Sequence, residues 1–344
     1  MATIRDARAG VEPGLRFAML MPPGGGVTEL GWHEIDEWRP ERGFLWVHLE
    51  RDDPAAQAWL NGRAGLDRLV ALALMADESR PRVEAVDDDL MIVLRGVNRC
   101  ATETETCAEA ELVPLHIWAE AGRVITLRDK AHSLEALHDL RMQMLTGKGP
   151  RSTGALLARI ADKVVDHLGD LTSALEEELS ELEETVGSSG PGSEVRGAVT
   201  DLRRRIVTLR RYLLPQRDAL FKLRQDDATW LNHDAKLNLR EVSERLGLHL
   251  DDLDEMRQRA TLLHEEMDSK VAEQTSRNTF VLSIVTVLML PATFVTGFFG
   301  MNTGDLPFNG AVSHGTWFAA LLILAAAAGT GLAVGLFLRR KSSD

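Results

Sequence analysis

TFVLSIVTVLMLPATFVTGFF, residues 279–299, carries no charged side chain in a chain that is 26% charged overall. At 1.5 Å per helical residue this run reaches about 30 Å, one hydrocarbon thickness. A second uncharged run, TWFAALLILAAAAGTGLAVGLFL, spans residues 316–338. Between them lies a turn-prone loop, GMNTGDLPFNGAVSHG, residues 300–315. From Asn278 to Leu338 the one formally charged residue is Asp305. Two such runs in tandem predict a pair of membrane-spanning helices. A buried hairpin of a soluble core is the alternative.

The flanks orient the pair. Lys270 and Arg277 precede the first run, Arg339, Arg340 and Lys341 follow the second, and the loop has neither Lys nor Arg. The positive-inside rule then places both termini in the cytoplasm and the loop outside. Residues 1–10 (MATIRDARAG) have charges but no apolar run behind them, so no signal peptide is expected and the bulk of the chain is expected in the cytosol.

The whole-chain figures conceal this division. The 344 residues contain 39 Lys+Arg against 52 Asp+Glu, a formal net charge of −13, and the mean hydropathy of −0.11 resembles that of a soluble protein. The acidic balance argues against nucleic acid as a partner, because neutralising phosphates needs clustered Lys and Arg. The two cysteines, Cys100 and Cys107, exclude a disulfide framework and are poorly spaced for one zinc. No nucleophile elbow, P-loop, HExxH, CxxC or dinucleotide fingerprint occurs, so an enzyme is not expected.

Upstream of the apolar runs, residues 1–150 mix short elements and predict an α+β cytosolic domain. Residues 44–49, 90–94, 112–118 and 123–127 are the strand candidates, and 54–60 and 132–145 are helical. Residues 151–277 read as a cytosolic helical hairpin and stalk. One helix covers 152–186, the linker GSSGPGS covers 187–193, and a second helix covers 194–224, interrupted only at Pro215. From Asp234 to Phe299 only Gly247 and Pro291 interrupt a third helix, long enough for a rod of about 100 Å. Along it Leu239, Val242, Leu246, Leu250, Leu253, Met256, Ala260, Leu263, Met267 and Val271 repeat at three- and four-residue spacing, the seam of a helical bundle. That seam needs partners from the hairpin and from other copies, so oligomerisation is expected. The third section, 278–344, is the transmembrane domain with its basic cytosolic tail.

Three acidic or polar patterns bear on chemistry. In the first span Thr279, Thr286, Thr293 and Thr296 fall at helical spacing, with Leu282, Met289 and Leu290 near the same stripe. Hydroxyls and soft apolar side chains suit the wall of a narrow pore, although Ser and Thr also satisfy backbone groups or mediate helix packing. Asp87, Asp88 and Asp89, and separately Asp251, Asp252 and Asp254, are carboxylates of the kind that hard cations take; solvated helix or loop ends are the commoner origin of such clusters. Six glutamates lie within residues 176–184, either a solvated helix face or an antenna that concentrates cations.

Gly300-Met301-Asn302 after Phe299, at the outer end of a long helix that enters the membrane, followed by a second span and a basic C-terminus, resembles the CorA superfamily of divalent cation transporters over the whole chain. Within it, Arg80-Pro81-Arg82, Leu94-Arg95-Gly96-Val97-Asn98, Arg211-Tyr212-Leu213 and Pro215-Gln216-Arg217-Asp218-Ala219-Leu220 are similar to the ZntB-type zinc transporter branch. The loop Thr303-Gly304-Asp305-Leu306-Pro307 is close to that branch's NxGGxP pattern. Asp305 departs from it, standing where the branch usually has Gly, and Met301, where the branch often has Ile or Val, leans toward the magnesium transporters.

The resemblance implies a funnel-shaped homopentamer in the inner (plasma) membrane, with the α/β domains forming a cytosolic funnel and the first span lining a central pore. It implies that Gly300, Met301 and Asn302 form the outer mouth, with Thr279, Leu282, Thr286, Leu290 and Thr293 along the pore and Asp305 as a ring of charge outside. Zn2+ and Mg2+ are implied as transported ligands rather than bound cofactors, and lipid and further copies of the chain as the partners. Zinc transport, coupled to protons as in the ZntB branch, is the first expectation. A CorA-type channel for Mg2+, Co2+ or Ni2+ is the alternative, and a membrane-anchored structural or signalling coiled coil is a third. The span holds no proton carrier, and in the outer loop only His314 titrates near neutrality. Asp251, Asp252 and Asp254 are the candidates for a regulatory cytosolic metal site.

Overall fold

The computed structural model describes residues 12–77, 80–98, 112–130, 132–147, 149–189, 192–300 and 315–341. The chain forms two compact units, Met1–His264 and Glu265–Asp344.

The first unit is built on a seven-stranded mixed sheet in the order β2-β1-β3-β7-β6-β5-β4. The strands are β1 (Leu15–Met21), β2 (Thr28–Glu29), β3 (Phe44–Glu50), β4 (Arg82–Val86), β5 (Asp89–Val97), β6 (Leu112–Glu120) and β7 (Arg123–Arg128). The four expected strands are β3, β5, β6 and β7, which form the centre of the sheet. Only β3 and β7 pair in parallel, with Val47 opposite Ile125.

Helices cover both faces because the central strands are apolar on both sides. On one face Leu45, Val47, Leu49, Ile125 and Leu127 pack in a buried cluster with Trp59, Leu60, Val70 and Leu74. These last four come from α2 (Pro54–Asn61) and α3 (Arg68–Met75). Asp53 and Asp67 cap the two helices, their Oδ1 atoms accepting from Ala55 N at 2.8 Å and Leu69 N at 2.7 Å, which satisfies end donors the helices cannot. A short α1 (Trp32–Asp36) precedes them. The other face meets α4 (Glu135–Leu145) and α5 (Thr153–Ser189). Gly96 on β5 permits that approach, since a methyl group there would sit 2.5 Å from Leu134 Cδ2 and 3.5 Å from Val164.

Three long helices follow: α5, α6 (Ser193–Gln225) and α7 (His233–Phe299). Two expectations change in detail. Gly187 is helical, because α5 continues to Ser189 and α6 begins at Ser193, so the linker is shorter than the Gly/Ser composition suggests. Pro215 and Pro291 sit inside continuous helices, where each removes one donor without ending the helix. Along α7, Leu239, Val242, Leu246, Leu250, Leu253, Met256, Ala260 and Leu263 are all buried, at the expected spacing. Ion pairs flank the seam: Arg245 to Asp162 at 2.6 Å, Arg210 to Asp254 at 2.7 Å, Arg205 to Glu178 at 2.7 Å and Arg259 to Glu183 at 2.7 Å.

The second unit holds the apolar end of α7 and α8 (Gly315–Lys341). Among the described residues, one helix, α7, is long and apolar enough to cross a membrane. The second expected run is helical within α8, with an apolar stretch at Ala320–Leu332.

Candidate ion pathway on the apolar end of α7

Thr279, Leu282, Thr286, Leu290 and Thr293 are spaced by three, four, four and three residues, which on a helix of 3.6 residues per turn is one face. All five are exposed in the single chain, Leu282 by 67% and Leu290 by 64%. A different face of α7 meets α8: a methyl group added to Gly331 of α8 would lie 4.0 Å from Leu288 Cδ2, and Val295, one helical repeat further along, is buried. Leu288 and Val295 stand about half a turn from the Thr/Leu stripe. The apolar helix therefore has one side committed to its neighbour and a polar-dotted side left free.

The hydroxyls on this stripe bond within their own helix. Thr279 Oγ1 donates to Thr275 O at 2.8 Å, Thr286 Oγ1 to Leu282 O at 2.9 Å and Thr293 Oγ1 to Met289 O at 3.0 Å. Each bond uses the hydroxyl proton and leaves the oxygen's other lone pair as an acceptor. Between Thr279 and Gly300 there is no titratable side chain, so the stripe offers acceptors and apolar constrictions rather than charged ligands. Gly300 closes the helix, its N–H donating to Thr296 O at 2.9 Å. Met301, Asn302 and Asp305 lie outside the described residues, as do Cys100, Cys107 and His314.

The acidic groups proposed for cations have other company. Asp254 forms an ion pair with Arg210 Nε at 2.7 Å and faces Arg257 at 3.5 Å, Asp252 stands 3.8 Å from His249, and Asp251 is exposed. Among the described residues no group of three His, Cys, Asp or Glu side chains is placed to hold a metal ion. Of the glutamates in 176–184, Glu178 and Glu183 pair with Arg205 and Arg259 on neighbouring helices, and Glu176 is 3.8 Å from Arg259. Asp87 and Asp88 form the β4–β5 turn, with Asp87 in the left-handed region at φ 55. Asp88 accepts from Thr229 N at 2.8 Å and Thr229 Oγ1 at 2.5 Å, bonds that hold its carboxyl below the usual range. Asp89, by contrast, is pushed up to about 6 by burial and then by the charges of Glu120 and Asp88.

Residues 94–98 and 211–220, two of the regions that carried the family resemblance, meet in the first unit. The Arg95 guanidinium lies 3.7 Å from the centre of the Tyr212 ring, Gln216 bonds the Arg95 backbone, and Asn98 Oδ1 accepts from Ser133 N at 3.1 Å.

A family profile described as "CorA-like Mg2+ transporter protein" matches residues 41–340. The chain is similar to the divalent cation transporter CmaX of Pseudomonas aeruginosa, 34% identical over 319 residues, or 92% of this chain and 93% of that protein. It is similar to the zinc transport protein ZntB of Yersinia enterocolitica, 31% identical over 285 residues, covering 83% and 84%. Among solved structures, full-length CmaX has a TM-score of 0.80 at 33% identity, covering 96% of this chain and 99% of that one. The CorA magnesium transporter from Methanocaldococcus jannaschii has a TM-score of 0.76 at 20% identity, covering 92% and 96%, a likeness of fold alone.

Proposed function

The chain belongs to the CorA-like family of divalent cation transporters, and from that premise we propose that five copies enclose a central pore that passes Zn2+, with Mg2+ as the second candidate. The observation that carries this reading is the exposed, charge-free Thr/Leu stripe on α7, turned away from the face that meets α8 and ending at Gly300-Met301-Asn302. A lone anchor helix has no use for such a stripe; copies of it facing one axis would line a channel.

The pore would run from Thr279 through Leu282, Thr286, Leu290 and Thr293 to Asn302. A carboxamide ring at Asn302 can accept hydrogen bonds from the water shell of a cation without stripping it, which matters for ions that dehydrate reluctantly. Rings of Leu282 and Leu290 form apolar constrictions able to gate by dewetting. A ring of Asp305 at the outer mouth raises the local cation concentration. In this arrangement α8 is the second span, both termini are cytoplasmic in an inner membrane, and residues 1–150, 151–277 and 278–344 are the domain, the hairpin with stalk, and the membrane section. Exposed Asp251 and Asp252 remain available for a cation held between copies.

Zinc is preferred because relatives named as zinc transport proteins match most of the chain at 31% identity. Magnesium is favoured by the family profile's description and by Met301 and Asp305, where the chain departs from the zinc branch. Uptake into proteoliposomes, comparing Zn2+ with Mg2+ with and without an imposed pH gradient, separates them. Zinc flux that rises with the gradient supports the zinc reading, and Mg2+ flux driven by voltage and indifferent to pH replaces it. Asn302→Ala is expected to abolish uptake while the pentamer survives; persistent uptake removes Asn302 from the pore.

A further inference from the structure

A cavity of about 170 Å3 lies in the first unit, between the sheet and α4. Its polar lining holds three guanidinium groups, Arg16 from β1, Arg128 from β7 and Arg141 from α4, with the imidazoles of His48 and His138 and the hydroxyl of Ser133. An acidic chain that transports cations has no evident need for three guanidinium groups around one small cavity.

Two carboxylates answer these three cations. Glu50 takes Arg16 Nε at 2.6 Å, and Glu29 takes Arg141 Nη2 at 2.8 Å. Arg128 makes no side-chain hydrogen bond or ion pair among the described residues. Its sequence neighbour Asp129 is drawn to Arg51 at 2.6 Å instead. Arg141 is held 5.2 Å over the Phe17 ring, and its Nε, shielded from solvent, has no hydrogen-bond partner among the described residues. The cavity thus keeps a half-buried Arg128 guanidinium whose charge Glu50 and Asp129 offset without pairing with it, and unused N–H donors, which is costly unless something answers them.

His48 supplies no negative charge to answer them. Thr126 Oγ1 donates to Val47 O at 3.2 Å and accepts from Trp46 Nε1 at 3.0 Å, so His48 Nδ1, 2.9 Å away, must be a second donor to it. Burial, then Arg128, Arg16 and Arg141, push this imidazole down to about 3, so it stays neutral among the cations.

We propose that this cavity binds a tetrahedral oxyanion of the phosphoryl class, inorganic phosphate or the phosphate of a small phosphomonoester, held by Arg128 together with Arg16 and Arg141. Planar guanidinium forks match such oxygens in pairs, which a spherical halide cannot exploit. The site stands apart from the pore reading and survives its failure.

Calorimetric titration of the full chain in detergent with inorganic phosphate, glycerol phosphate and chloride at matched ionic strength tests it. Saturable phosphate or phosphomonoester binding, weakened about tenfold or more by Arg128→Gln, is the expected result. The tighter of the two probes identifies the source. Binding that chloride reproduces, no saturable binding, or an Arg128→Gln chain that binds like the wild type overturns the proposal. Should that variant not fold, phenylglyoxal labelling of the wild-type chain decides. Phosphate must protect Arg128 from modification, and its absence of effect overturns the site.

Discussion

Gln216 on α6 completes the edge of strand β5: its Oε1 accepts from Arg95 N at 2.6 Å and its Nε2 donates to Arg95 O at 3.1 Å. The β4 ladder ends at the pair Arg82–Val93, so beyond Val93 the outer edge of β5 has no strand beside it among the described residues. A fully buried carboxamide on a helix supplies both of the bonds that a strand would. One turn earlier Tyr212 stacks under the Arg95 side chain, whose Nη1 also donates to Leu112 O at 2.9 Å.

Gln216→Leu is therefore expected to cost about 2–3 kcal/mol, because it leaves a part-buried N–H and C=O unanswered. Gln216→Glu should cost a similar amount, since a carboxylate accepts but cannot donate. Thermal or denaturant unfolding of the full chain checks both. A Leu variant that melts with the wild type would show that water replaces the amide at no cost.

Gly96→Ala tests the approach of α4 and α5 to the sheet. The added methyl would meet Leu134 Cδ2 at 2.5 Å, so either that side chain turns away or the helices shift. The expected loss is about 1–3 kcal/mol, as for other overpacked cores. Leu134→Ala in the same chain should recover part of it, and additivity of the two changes would show that they do not meet.

Asp89 gives a pH dependence of defined sign. Its folded-state value of about 6 lies above the ordinary 3.8, so between those values the folded chain holds the proton more tightly than the unfolded one. Its contribution to stability is then lost as pH rises from about 4 to 6 and stays lost above. The facing charges are Glu120, Asp88 and Asp87 against Arg123, and Glu120 is itself tied to Arg123 at 2.7 Å. Asp89→Asn should raise stability at pH 7–8 by on the order of 1 kcal/mol, discounted for this group's exposure, and leave it unchanged near pH 4. Melting temperatures across pH 4–8 decide it, and a variant that melts in parallel with the wild type throughout would remove Asp89 from the balance.

The legible parts of this chain are those where one physical pattern dominates. β3, β5, β6 and β7 are near-continuous apolar runs, and α7 carries its buried seam at regular spacing over several turns. β4 was not legible, because RVEAV faces solvent on an edge and has two charges in five residues. Nor was α3: RLVALALM is apolar all round, with Leu69 and Leu72 exposed, so it has no helical stripe to read. The Thr/Leu stripe could be read from spacing alone. The arginine cavity could not, since β1, β7 and α4 bring its residues together from distant parts of the chain.

Thr286 separates two uses of a hydroxyl. Its proton is committed to Leu282 O at 2.9 Å, and the helix loses no backbone bond if that contact disappears. Thr286→Val keeps the shape of the side chain and removes the oxygen acceptor that faces away from the α8 contact. If the water shell of a passing cation leans on this acceptor, the loss is one modest hydrogen bond in the transit barrier, about 1 kcal/mol or roughly fivefold in flux. Uptake should then fall by that factor while the melting temperature and oligomer size stay put. Unchanged uptake would assign the hydroxyl to its own helix alone, and would leave Asn302 and the leucine rings to account for conduction.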